Sequence, residues 1–371
     1  MKKLKVGIIG CGGIAKQKHL PALKSQSDKC EMVAFCDTLE DRAVWACGEY
    51  GAPGAKVYTD YRELLKDPEI DVVHVLTPNV AHCPITVAAF EAGKHVMCEK
   101  PMAATTEDAE KMIEAWKRSG KKFTIGYQNR FRRDAQMLKR ICAEDKLGDI
   151  YFAKAHAVRR RAVPTWGVFP NKALQGGGPL IDIGTHALDI TLWCMDNYKP
   201  ASVLGSVFHK LGDRPDASEG NMFGPWDVND FQVEDSAFGF IKMEDGATIF
   251  LEASWALNVK DSREAATTLC GTKAGAEMVG SMTGTGESYD LIINETSGGV
   301  LTEEHISPGG SIAFFEGEGA GGEAVKEARQ WLNAILYDKE PLVKPEQAFV
   351  VTQILDAIYK SAAEGREIRL N

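Results

Sequence analysis

Val6-Gly7-Ile8-Ile9-Gly10-Cys11-Gly12-Gly13-Ile14-Ala15 decides how the chain begins to fold. Val6–Ile9 is an unbroken apolar run, the pattern of a parallel strand covered on both faces. The glycines after it fit G-x-G-x-x-G/A. Gly10 permits the tight turn, Gly12 lets the backbone approach a pyrophosphate, and Ala15 lets a helix pack close to the strand. Gly13 and Ile14 complete the turn, and the helix they open points its N-terminal N–H groups at an anion. Glycines also serve ordinary turns, so the match needs context. Met32–Cys36 supplies it: a second apolar strand ends in Asp37, near the ~20-residue interval at which an acidic residue meets ribose hydroxyls. A carboxylate there repels a 2′-phosphate, so the expected cofactor is NAD rather than NADP, with Arg42 able to soften that choice.

Working outward, strand and helix signals alternate up to Gly126. Strands are predicted at Val57–Tyr58, Val72–Leu76, His95–Cys98 and Lys122–Gly126. Helices are predicted at His19–Lys24, Leu39–Tyr50, Tyr61–Lys66, Ile85–Ala92 and Thr106–Ser119. Such alternation means a doubly wound parallel sheet. Thr77, Asn79 and His82 follow one strand, where ligands of open α/β sheets collect, although an ordinary loop with an N-cap accounts for them equally. Glu99-Lys100-Pro101 ends the next strand on the same edge, and these two polar residues join the cofactor-binding candidates. Lysines are usually solvated surface groups, but a lysine before proline is held extended, and Lys100 stands where a nicotinamide is expected.

From about Ile150 the pattern changes. Candidate strands Tyr151–Val158, Ser202–His209, Asp235–Lys242, Ala247–Trp255, Thr267–Cys270 and Tyr289–Glu295 follow one another through short turns, the signature of a largely antiparallel meander. One helix, about Gly184–Cys194, interrupts it, and helices at about Glu323–Leu336 and Pro345–Ala363 close the chain. The expected organisation is α/β: an NAD-binding Rossmann domain over 1–126, then an α+β substrate-binding and oligomerisation domain over 127–371. The second carries an open, mostly antiparallel sheet, and its last helices pack back toward the first domain. Two long loops stand out, His209–Gln232 with Phe223, Trp226 and Phe231, and Pro308–Gly322 around Phe314-Phe315. Loops of this length are often lids or binding loops.

The chemical end centres on Gly176-Gly177-Gly178-Pro179-Leu180-Ile181-Asp182-Ile183-Gly184-Thr185-His186-Ala187-Leu188-Asp189. In a helix, Asp182 and His186 are i,i+4 neighbours on one face. A carboxylate beside an imidazole orients it, fixes its tautomer and raises its pKa. A histidine near neutrality is the natural acceptor of an alcohol proton. A lone histidine is more often structural; the glycine run and the carboxylates at Asp182 and Asp189 favour the catalytic reading. Just upstream, Arg159 and Trp166 are substrate-binding candidates. Ion pairing is the plain alternative for Arg159, and ordinary packing for Trp166.

Composition limits the partners. The chain has 371 residues, enough for two domains, with 44% hydrophobic and 26% charged residues and a net charge of -9. That balance argues against nonspecific nucleic-acid or anionic-membrane binding. Nine cysteines, an odd number with no C-x-x-C pair, predict neither a disulfide framework nor a zinc site, and no other metal is called for. The apolar stretch before Cys11 is too short for the ~7–15-residue core of an export signal. Nothing approaches the ~18 apolar residues of a membrane helix. The expected compartment is the cytoplasm.

Together these motifs resemble the glucose–fructose oxidoreductase / inositol dehydrogenase (Gfo/Idh/MocA) family over essentially the whole chain: the opening GIIGCGGIA, then FCD, TPN, CEKP and GGGPLIDIGTHALD. The resemblance implies a Rossmann domain joined to an α/β domain whose sheet serves as the face of a homodimer or homotetramer. It makes Lys100, Asp182 and His186 the catalytic group. It also aligns Gly126-Tyr127-Gln128-Asn129-Arg130-Phe131 with the segment between domains, which adds Asn129 to the cofactor-binding set. The expected activity is NAD(H)-dependent oxidation of a secondary hydroxyl on a sugar or glycoside. The Arg159-Arg160-Arg161 and Pro164–Phe169 segments resemble members that oxidise pyranosides, which suggests C3 of a glucoside. An inositol or aldose dehydrogenase is the enzymatic alternative, and a non-catalytic NAD(H)-binding regulator is the alternative of another class.

Overall fold

The apolar runs of the first third become six parallel strands: β1 (Leu4–Ile9), β2 (Cys30–Cys36), β3 (Lys56–Tyr58), β4 (Val72–Val75), β5 (His95–Cys98) and β6 (Phe123–Ile125). Their order is β3-β2-β1-β4-β5-β6. The chain winds outward from β1 to one side, then returns to β4 on the other, which creates a switch point outside the carboxyl ends of β1 and β4. Val6, Ile8, Val72, Val73 and Val75 are fully buried, as continuous apolar runs require. The computed structural model describes residues 3–283, 286–306 and 322–370. Apart from Gly322, the glycine-rich loop at 308–322 lies outside them.

Two compact units emerge. The first comprises the described residues of Met1–Gln128 and Ile312–Phe349, the second those of Asn129–Ser311 and Val350–Asn371. The late helix Glu323–Leu336 therefore belongs to the first unit, where its Trp331 and Leu332 are buried in one core with Val6, Ile8, Leu20 and Leu23. Full burial of a large apolar side chain is worth about 1.5–3 kcal/mol, which is ample to hold a helix supplied from so far along the chain.

The second unit holds β7 (Ile150–Val158), β8 (Pro200–Phe208), β9 (Ser236–Met243), β10 (Thr248–Ser254), β11 (Arg263–Gly271), β12 (Ala274–Thr283), β13 (Gly286–Ser297), β14 (Val300–Ile306) and β15 (Ile368–Arg369). They form one sheet in the order β14-β13-β12-β11-β7-β10-β9-β8-β15. The sheet is mixed: β7 pairs parallel with β10 and every other pair is antiparallel. A simple meander would have set β7 beside β8. Instead β7, with Ala153, Ala155 and Ala157 fully buried, takes the centre of the sheet. The helix expected at about Gly184 starts earlier, as a π-helical turn Leu180–Gly184 that runs into the α-helix Thr185–Met195. Helices Arg133–Ala143, Lys172–Gln175 and Pro215–Glu219 add to the expected set.

Candidate active site

The glycine turn of the first unit is shaped by contacts below it and left open above. Gly10 has φ +95°, and a Cβ there would stand 2.5 Å from the Leu76 carbonyl oxygen, so only glycine fits. A Cβ on Gly13 would meet nothing within 4 Å, and one on Gly12 only the Arg42 guanidinium at 3.9 Å. That open surface, at the start of a helix whose first N–H groups have no partner within the helix, suits a pyrophosphate. Ala15 is fully buried while Ile14 is exposed, as the turn demands. Asp37 is tied to the turn: its Oδ2 accepts from the Cys11 N–H at 2.8 Å and its Oδ1 from the Leu39 N–H at 3.0 Å. Thr77 buries an Oγ1 that has no partner among the described residues, a polar atom well placed to be satisfied by a ligand. Asn79 opens a short 3-10 turn beside it. These features fit a dinucleotide.

Two expected ligand-lining residues are buried and engaged by the protein's own groups. The His82 ring is fully buried, with Nδ1 2.8 Å from the Pro101 carbonyl and Nε2 2.9 Å from that of Thr77. It braces the loops after β4 and β5. Glu99 is buried too: Oε1 lies 2.6 Å from Lys18 Nζ and 2.7 Å from His19 Nε2, and Oε2 accepts from the Lys100 N–H at 3.0 Å. Its carboxylate is consumed by the protein. Lys100 itself follows β5 and precedes a cis proline, Pro101. Asn129, also expected at the cofactor, falls in the 3-10 turn Gln128–Phe131 and groups with the second unit.

In the second unit the glycine run is there for room. A Cβ on Gly177 would stand 2.1 Å from the Tyr359 hydroxyl, and one on Gly178 2.4 Å from the Glu234 carbonyl. Glu234 accepts from the N–H groups of Gly178 at 2.9 Å and Leu180 at 3.2 Å, and from the Tyr359 hydroxyl at 2.6 Å. This anchors the turn that presents Asp182. Asp182 Oδ2 accepts from the Trp255 indole N–H at 3.0 Å, and His186 follows four positions on, nearly buried. Asp189 is not a partner of His186: it forms a fully buried ion pair with Arg130, Nη2 to Oδ1 2.6 Å and Nε to Oδ2 2.9 Å. Burial raises its pKa and Arg130 opposes the rise.

Arg159 forms a two-pronged pair with Glu264, both contacts at 2.6 Å, and the nearby Asp182 charge helps keep the guanidinium cationic. Its fork is thus committed within the protein. Trp166 is 49% exposed, its ring edge-on to Phe223 at 4.8 Å and to Phe169 at 6.0 Å. Phe169 and Phe231 in turn meet Trp255, each at 6.3 Å. A chain of aromatic contacts therefore runs from an exposed indole to the tryptophan that holds Asp182. Trp255 and Glu234 escaped the sequence reading; the end position of Trp255 on an apolar strand was its only signal.

Residues 4–127 match the profile of the oxidoreductase family with an NAD-binding Rossmann fold, and residues 139–370 that of the same family's C-terminal alpha/beta domain. The chain belongs to the Gfo/Idh/MocA oxidoreductase family. Among relatives of this Gfo/Idh/MocA protein, the D-glucoside 3-dehydrogenase of Escherichia coli (strain K12) is 34% identical over 99% of this chain and 97% of its own. The inositol 2-dehydrogenase of Salmonella typhimurium is 33% identical over 54% of this chain and 57% of its own. In structure, an aldose-aldose oxidoreductase from Caulobacter crescentus complexed with glycerol superposes with a TM-score of 0.77 at 25% identity, over 100% of both chains. The family and the open glycine turn together make NAD the cofactor of the first unit. Among the described residues no helix is long and apolar enough to cross a membrane.

Proposed function

We propose that this oxidoreductase oxidises a glucoside at C3 to the 3-keto sugar, with Lys100, Asp182 and His186 as its catalytic residues. The observation that carries the reading is Asp182 fixed by the Trp255 indole with His186 just beyond it, reached by an aromatic chain that ends in the exposed Trp166. The likeness to a D-glucoside 3-dehydrogenase supports the choice of sugar and carbon.

The dinucleotide, when bound, supplies the hydride acceptor. His186 takes the hydroxyl proton as the C–H bond of the same carbon breaks, so that carbon and oxygen leave as a carbonyl. The Lys100 ammonium donates to the reacting oxygen and stabilises its developing negative charge. Asp182 favours the imidazolium that forms on His186, and Trp255 keeps that carboxylate from rotating away. Trp166 offers a flat apolar face to a pyranose C–H surface or to the aglycone beyond it. With its fork held by Glu264, Arg159 contributes to substrate binding through position and charge rather than as a free donor.

The open face of the second sheet carries Leu204, Phe208 and Phe240 exposed, with Phe238 and Phe250 stacked beside them. We assign this face to a homodimer or homotetramer contact, and the nine free thiols to a reducing, cytoplasmic setting. The reaction is tested by incubating the protein with NAD and methyl β-glucoside, glucose, myo-inositol or levoglucosan, following reduced nicotinamide and identifying product by NMR. A 3-keto glucoside is expected. No reduction with any sugar sinks the reading, and myo-inositol as the only substrate moves it to the inositol dehydrogenases.

A further inference from the structure

Five buried titratable side chains of the first unit meet in one cluster that the proposed chemistry does not use: Lys18, His19, His74, Glu99 and Glu327. Lys18 and His19 lie on the π-helical turn Ala15–His19 just after the glycine turn, His74 on β4, Glu99 at the end of β5, and Glu327 on the helix Glu323–Leu336. Lys18 Nζ donates to Glu99 Oε1 at 2.6 Å, Glu327 Oε2 at 2.9 Å and Gln128 Oε1 at 3.2 Å. His19 joins Glu99 through Nε2 at 2.7 Å and meets His74 through Nδ1 at 3.1 Å. The remaining Glu99 oxygen holds the Lys100 N–H. The backbone is cut away to admit this carboxylate: a Cβ on Gly126 would stand 2.7 Å from Glu99 Oε1.

One ammonium faces two carboxylates here, and an uncompensated buried charge is costly. Glu99 has donors on both oxygens, whereas Glu327 Oε1 has no partner among the described residues. Glu327 is therefore the member that keeps a proton, leaving a balanced Lys18–Glu99 pair. Burial pushes Glu327 up to about 7, while Glu99 is held well below the usual carboxylate range by Lys18 and His19 against the cost of its burial.

We infer that Lys18 and Glu327 are positioning residues for Lys100: they hold Glu99 in the one placement from which its second oxygen fixes the Lys100 backbone. The cluster thereby couples the helix that opens at the cofactor turn to the lysine proposed to handle the substrate oxygen. The inference rests on the proposed role of Lys100.

The test compares Lys18→Met, the double variant Lys18→Met/Glu327→Leu, and Gly126→Ala. Lys18→Met takes the cation from the Lys18–Glu99 pair, with Glu327 still protonated, and lowers the melting temperature. The double variant also replaces the Glu327 carboxyl, with its orphaned buried oxygen, by an apolar side chain and regains part of that loss. Its kcat on methyl β-glucoside is nevertheless expected to stay at least tenfold below wild type, with NADH affinity within threefold. Turnover that returns along with stability would make the cluster a structural ion pair and overturn the inference. Gly126→Ala displaces Glu99 without changing any charge, so it decides the matter should the double variant not fold. It is expected to lower kcat and spare NADH binding, and wild-type turnover there overturns the inference. The rate of Lys100 acetylation by acetic anhydride, read by peptide mass spectrometry, needs no turnover. It is expected to change at least threefold in the double variant and in Gly126→Ala, and an unchanged rate in both overturns the inference. Wild-type protein inactive on every sugar would sink the proposed function and leave this labelling comparison standing.

Discussion

Trp255, the residue directly after β10, donates its indole N–H to Asp182 Oδ2 at 3.0 Å while its ring stays fully buried. A strand end thus fixes a carboxylate on the π-helical turn, four positions before His186. Trp255→Phe keeps an aromatic ring in the cluster and removes only that donor. A hydrogen bond to a charged group is worth about 1.5–3 kcal/mol, so kcat is expected to fall by roughly 10- to 100-fold with NAD affinity intact. Steady-state kinetics check this, and an unaltered kcat would detach Trp255 from the chemistry.

His186→Ala and Lys100→Met remove the proposed proton acceptor and the proposed oxygen ligand. Each is expected to lower kcat by ~10²–10⁴-fold. NADH binding, followed by fluorescence titration, survives both. Variants that turn over at near wild-type rates would refute the catalytic assignment.

Asp37→Ser tests the choice of cofactor. The carboxylate bonds the turn through Cys11 and the next helix through Leu39, and Arg42 reaches to within 3.9 Å of where a Gly12 Cβ would stand. Without the carboxylate, NAD loses the proposed ribose acceptor and a 2′-phosphate is left with the arginine. The kcat/KM for NAD is expected to drop roughly 10- to 100-fold, the cost of one charged hydrogen bond, while that for NADP rises. NADP activity that stays at the wild-type level counts against the placement.

Glu327→Gln should change how stability depends on pH. The folded protein holds the Glu327 proton up to about 7, while the unfolded chain releases it near its ordinary value of 4.5. Between those limits the folded state binds more protons, so stability falls as pH rises, by about 1.4 kcal/mol for each pH unit. Above both, the contribution is constant. Glu99, depressed rather than raised, acts at lower pH with the opposite sign. Urea titrations from about pH 5 to pH 8 should therefore show the Gln variant losing less stability than wild type. Parallel curves would mean that Glu327 is ionised throughout.

Trp166→Ala addresses the substrate. The indole is half exposed but packs edge-on against Phe223 and Phe169, so folding stability should fall by about 1–3 kcal/mol without loss of the fold. The KM for an aryl β-glucoside is expected to rise about tenfold, and that for methyl glucoside less, the difference a lost stacking partner makes. Equal effects on both would leave the aglycone without a role for this ring.

Much of the first unit was legible because its signals are local. A buried parallel strand must be apolar throughout, and the glycine turn and Asp37 follow from backbone sterics and charge within one βαβ segment. The second unit was harder to read. β14 has exposed residues along most of its length and so shows no alternation, and β12 follows β11 through a turn too short to separate them by composition. The central place of β7 depends on which strands are most apolar in comparison, which no single segment reveals. In the second unit, Asp182 and His186 were singled out as candidates by their spacing. The Lys18–Glu327 contact was not legible, because a lone glutamate on a charged helix carries no mark of a lysine some three hundred positions away. The protein partners of Glu99 and His82 were equally hidden, because position on a sheet edge says where a residue sits but not which groups its side chain meets.

Glu234 joins Gly178, Leu180 and Tyr359 through one carboxylate. A library meant to alter sugar preference should accordingly spare that glutamate and its three partners and randomise around Trp166, Phe169 and Phe223. Diversity placed there reshapes the recognition surface, whereas diversity at the glutamate would mostly return misfolded clones.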